Sequence, residues 1–159
     1  MSRIRKTVTV DDVMAWKPCE EYSREGLAAL FGRRKRVRPL EILHLEEVAA
    51  DDRFWVLLRE DFLSAGDLRL FACDCASRAL RVERKAGREP DKRSWAAIRV
   101  ARRFARGKAT QEELAASWAA SRAASGAASG AASGDAAWSA ERAWQLKRLE
   151  KYLVAAGHK

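Results

Sequence analysis

Apolar positions recur three and four residues apart along most of this chain, and they rarely alternate with polar ones for long. That spacing predicts helices almost throughout; "KTVTV", Lys6 to Val10, is the best strand candidate and is short. Asp11 is expected to start a short helix, "DVMAW", that Pro18 stops, and Ser23 and Gly32 to cap "REGLAALF" at its two ends. "RRKRVRP" then reads as a charged loop, with Pro39 at the first position of a helix through "PLEILHLEE". Asp51 or Asp52 is expected to cap "RFWVLLREDFL".

Ser64 and Asp67 form a capping-box-like start for a longer helix with Leu68, Phe71, Ala72, Cys75, Ala79 and Val82 on one face. Gly87 and Pro90 end it. Asp91 caps the next helix, in which Trp95, Ile98 and Ala101 recur, and Gly107 closes that one. Thr110 and Glu113 make a capping box for a final long segment, in which Leu146, Leu149 and Leu153 line one face.

Within that segment, Ala115 to Gly134 repeats Ala-Ala-Ser-x in strict tetrads, with Trp118, Arg122, Gly126, Gly130 and Gly134 at x and Trp138 continuing the phase. A flexible linker has no need of such a period and would be richer in Gly than in Ala. Alanine favours the helix, whereas each interior glycine costs about 1 kcal/mol. A repeat of four drifts about 40° per tetrad against the helical turn, so the x positions slide around the axis. The tract is therefore expected to be a docked helix, with the tryptophans as anchors. A fresh start at Asp135, breaking the helix near Gly134, stays open. The whole is expected to be all-α, a compact multi-helix bundle in one domain over residues 1–159, with a helical core over 1–107 and a long Ala/Ser/Gly-rich helix over 110–155.

Composition supports a real core: apolar residues make up 48% of 159, including six Trp. The net charge of +9 permits an acidic partner without choosing between protein and nucleic acid. The charge is uneven. Residues 41–77 hold three cations against nine acids, and residues 78–106 hold eleven against three. In the basic stretch, Arg78, Arg81, Lys85 and Arg88 follow helical spacing, and Arg99, Arg102, Arg103 and Arg106 cluster on the next helix. Packed antiparallel, two such helices would merge these into one partner-binding patch, which Arg33, Arg34, Lys35 and Arg36 could extend. A solvated face balanced by neighbouring acids is the competing reading. Arginine suits planar recognition of carboxylate or phosphate, and the lack of interleaved aromatics weakens the single-strand nucleic-acid version.

Candidate chemistry is sparse. Cys73 and Cys75 are spaced C-D-C and diverge on a helix, so they do not converge on a metal; buried structural thiols are the expectation. His44 and His158 are the only histidines, and no spacing pairs them with a cysteine as a nucleophile. Acidic pairs such as Glu46–Glu47 and Asp51–Asp52 fit helix starts better than acid–base work. The tryptophans are expected as core anchors. An odd cysteine count, no apolar leader and no apolar run of about 18 residues point to a reducing, cytoplasmic setting with no membrane segment. No catalytic residue, cofactor or metal is expected.

"VMAWKPCEEYSREGLAALF", "DDRFWVLLREDF", "LFACDCASRAL", "RSWAAIRVARRFARGKATQEELAASW" and "ERAWQLKRLEKYL" occur in this order. Together they resemble the immunity-protein-five-like family of bacterial and phage-borne proteins over roughly residues 10 to 153. The resemblance implies an all-helical fold ending in an Ala-rich helix, and a non-enzymatic inhibitor that occludes a toxin or similar effector; it carries over no site residues. Two departures stand out. Ser and Gly replace the bulkier tetrad members of the family, and the positive charge suits an acidic partner. A basic nucleic-acid-binding accessory protein and an oligomeric helical scaffold are the alternatives.

Overall fold

A computed structural model describes residues 4–125 and 135–159. The fold is all-α, with eight helices and no strand among the described residues: α1 (Val10–Ala15), α2 (Arg24–Phe31), α3 (Pro39–Leu43), α4 (Ala50–Leu57), α5 (Ala65–Lys85), α6 (Lys92–Ala105), α7 (Gln111–Ser125) and α8 (Asp135–Ala155). The helix expected through the tetrads is present as far as Ser125. Its continuity through Gly126, Gly130 and Gly134 lies outside the described residues.

The chain divides into two units, Met1–Ser64 with Leu146–Lys159, and Ala65–Gln145. In the first, Val13, Leu27, Phe31, Ile42, Leu57, Phe62, Leu149 and Leu153 form the buried set. Leu149 and Leu153 lie on the expected face of α8 and are fully buried. The unit is closed by polar ties at its C-terminus. Lys6 Nζ donates to the carbonyls of Ala156 and Gly157 at 3.0 and 3.2 Å, and buried His158 meets the Phe62 carbonyl at 2.8 Å. Gly157 adopts φ 82°, where a side chain would be strained.

Several local expectations shift for identifiable reasons. The strand expected at Lys6–Val10 is a single antiparallel bridge between Val8 and Val37, which buries both valines, Val37 within the loop read as merely charged. The first helix is capped by Thr9 and not by Asp11. The Thr9 hydroxyl accepts from the Asp12 N–H at 3.1 Å and Asp12 accepts from the Thr9 N–H at 2.9 Å, a complete capping box. Asp51 and Asp52 sit in the first turn of α4 behind Ala49 as N-cap. That helix stops at Leu57, so Phe62 and Leu63 are buried from a turn. Ser23, Gly32, Pro39, Asp91, Gly107 and the Thr110–Glu113 pair act as expected.

In the second unit α5, α6 and α7 pack around Cys73, Ile98, Ala101 and Leu114, with Leu80 and Phe104 against them. The face of α5 turned to α6 and α7 is therefore Cys73, Ser77 and Leu80, while Phe71, on the opposite side, is buried as expected. Ala72, Ala79 and Val82, expected inside, are exposed. The apolar periodicity holds for Phe71, which is buried, and for Leu68 and Cys75, which are half-buried; it missed the second side of α5, where Arg102 of α6 meets Asp74 and Ser77.

Candidate functional site: an arginine face on α5 and α6

Helices α5 and α6 run antiparallel, as the basic-patch expectation requires. The Cys73 thiol points at the Ile98 carbonyl, Arg69 stacks on Phe104 and Arg84 stacks on Trp95. On α6, Arg99, Arg102, Arg103 and Arg106 occupy about 100° of the helix circumference, one side of the element.

Between the helices stands one charged contact. Arg102 Nη2 donates to Asp74 Oδ1 at 2.9 Å and to the buried Ser77 hydroxyl at 3.0 Å. The Ser77 hydroxyl in turn donates to the Cys73 carbonyl at 2.7 Å. Because Arg81 lies seven residues beyond Asp74, and Arg99 and Arg106 lie one turn either side of Arg102, the faces that carry them meet at this contact. Arg81 and Arg99 therefore belong to one outward surface, which Arg106 continues along α6.

The sequence-derived residues separate into two groups. Arg78, Arg102 and Arg103 are engaged within the protein. Arg78 Nε meets Glu141 of α8 at 2.6 Å, with its guanidinium 4.6 Å from the Trp144 ring centroid. Arg103 reaches Glu113 at 3.5 Å and the Lys108 carbonyl at 3.2 Å. The side chains of Arg81, Lys85, Arg88, Arg99 and Arg106 are exposed and have no ion-pair or hydrogen-bond partner among the described residues; Arg88, expected on the helix, lies beyond its end at Lys85, because the chain turns at Gly87. Arg33, Arg34, Lys35 and Arg36 belong to the first unit, in the exposed loop between α2 and α3, where Arg34 is tied to Glu41 at 3.3 Å and to the Phe31 carbonyl at 3.0 Å.

The tryptophans differ from the expectation. None of Trp16, Trp55, Trp95, Trp118 and Trp144 is fully buried, and Trp118 is 57% exposed. Four of them carry arginines instead: Arg59 lies 4.4 Å over Trp16 and 4.5 Å over Trp55, Arg78 covers Trp144 and Arg84 covers Trp95. A guanidinium stacks flat on an indole while its edge keeps donating, so these pairs hold arginines in fixed orientations. Arg84 is also bidentate to Glu89, its two nitrogens at 3.0 and 2.6 Å from the carboxylate oxygens. Glu89, Glu141 and Asp74 thus decide which cations are spent internally. The sequence reading missed them because two of the three lie outside the basic stretch and none is at helical spacing from its partner.

Two of the thiols, Cys73 and Cys75, are held in the protonated form. Burial pushes Cys73 up, and it pushes Cys75 up to about 11, with Glu141 adding to the effect, so both stay protonated. His44 pairs with Glu150 at 3.1 Å and His158 is committed to Phe62. Among the described residues no three of His, Cys, Asp and Glu gather where a metal ion could sit, and no helix is long and apolar enough to cross a membrane. The chain matches no protein-family model, no curated protein and no solved structure.

Proposed function

We propose that this chain is a non-enzymatic binding protein that docks an acidic protein surface on its α5–α6 arginine face. The observation that carries the reading is the division of the cations. In the helical pair and its connection, Arg78, Arg84, Arg102 and Arg103 are neutralised by carboxylates, while the side chains of Arg81, Lys85, Arg88, Arg99 and Arg106 are exposed without partners among the described residues. Unpaired cations repel one another, and an acidic partner relieves that repulsion on docking. The sequence resemblance supports the finer version, an immunity-type inhibitor that masks a toxin or effector by steric and electrostatic occlusion.

The test is affinity capture with the full chain, with and without nuclease, followed by mass spectrometry. One acidic protein recovered in both arms, and released by salt, supports the proposal. Recovery only in the untreated arm reassigns the face to nucleic acid, whose affinity would fall steeply with salt. Recovery of the chain's own copies alone supports the scaffold reading.

A further inference from the structure

The first unit contains a cleft of about 330 Å³, walled by Leu27, Leu30, Phe31, Ile42, Val48 and Val56. That volume is at the small end of the range typical of small-molecule sites, about 300–1,000 Å³, which suits a single ring or a short alkyl chain. The apolar wall is interrupted by Asp51, Asp52 and Arg53 from α4 and by Tyr22. We propose that this cleft binds a small hydrophobic amine, its apolar part against the aliphatic wall and its ammonium on Asp52.

The polar groups specify the charge. The Tyr22 hydroxyl donates to Asp52 Oδ2 at 2.8 Å. Asp52 is half-buried, and its other oxygen has no donor among the described residues. A half-buried carboxylate with one oxygen unserved favours a cationic donor, because charge-assisted hydrogen bonds are the strong ones. Tyr22 cannot become the counter-charge. Burial and the Asp52 contact push its hydroxyl up to about 12, so it remains a proton donor that fixes the carboxylate's orientation. Arg53, the one cation lining the cleft, is turned to the scaffold. Its Nη1 donates to the Leu43 carbonyl at 2.8 Å, while its Nε is buried without a hydrogen-bond partner among the described residues. Asp52, held on one oxygen by Tyr22 and open on the other, is therefore the group that makes the cleft complementary to a positive ligand.

Calorimetric titration of the full chain at pH 7 with octylamine, octanol and octanoate, all below micellar concentration, tests this. Octylamine is expected to bind about tenfold tighter than octanoate, the range of one charge-assisted hydrogen bond. Asp52→Asn should erase the preference for the amine, and Leu30→Trp, which fills the cleft and leaves Asp52 in place, should abolish binding. No binding of octylamine, an equal or greater affinity for octanoate, or full octylamine binding by folded Leu30→Trp overturns the proposal. The arginine-face reading stands or falls independently, since none of these residues belongs to α5 or α6.

Discussion

Arg102 of α6 donates to Asp74 of α5 at 2.9 Å, with side chains 30% and 15% exposed, and this pair ties the two helices that carry the arginine face. Replacing Arg102 by Ala removes a charged partner from Asp74 and a donor from the buried Ser77 hydroxyl. The expected loss is roughly 2 kcal/mol of unfolding free energy, read as a lower urea midpoint. Lysine should rescue this only in part: a single nitrogen, Nη2, makes both contacts, but the lysine ammonium sits one bond nearer the backbone.

The cost of changing Arg99 or Arg106 is different. Both side chains are exposed and unpartnered among the described residues. Arg99→Glu and Arg106→Glu should each leave stability within about 0.5 kcal/mol. A thermal melt showing a large loss in either would mean that these side chains are structural and not a free surface.

Removing part of the first unit's core should be costly. Leu153 is fully buried on α8. Leu153→Ala is expected to lose about 2–5 kcal/mol, depending on how far the cavity collapses. Chemical denaturation of the variant measures it. Val154→Ala, one residue on and 55% exposed, is the matched control and should change little.

His158 gives the first unit an acid sensitivity. Burial holds its pKa below the ordinary value, and Lys6 adds to the effect, against the opposing hydrogen bond to Phe62. The Phe62 carbonyl can only accept, so Nε2 carries the proton, and Nδ1 is buried without a partner. A second proton would have nowhere to donate. The unfolded chain takes up that proton near pH 6.5, above the folded value, so it binds more protons than the native state as pH falls. Stability is therefore expected to be complete above about pH 6.5 and to decline below it. The urea midpoint should drop between pH 7.5 and pH 5, and the drop should shrink in His158→Gln, whose amide can still donate to Phe62.

Much of the helical layout was legible in the sequence because caps and breakers act locally. Ser23, Pro39, Asp91, Gly107 and the Thr110–Glu113 box each act within one turn. The partition of the cations was not legible, because it depends on which carboxylate arrives from another helix. Asp74 lies 28 residues from Arg102, and Glu141 lies 63 from Arg78. The same dependence hid the second side of α5: apolar periodicity favoured Ala72 and Ala79, whereas Ser77 meets an arginine crossing from α6. The cleft in the first unit has no sequence motif of its own, because its wall is assembled from four helices and two of the connections between them.

The most direct measurement is a capture experiment comparing the wild-type chain with the triple variant Arg81→Glu, Arg99→Glu, Arg106→Glu, checked as folded by circular dichroism. The account predicts that the acidic protein held by the wild type is absent from the variant at the same ionic strength, with unfolding midpoints nearly equal. An undiminished yield of the same partner on the folded triple variant would contradict it.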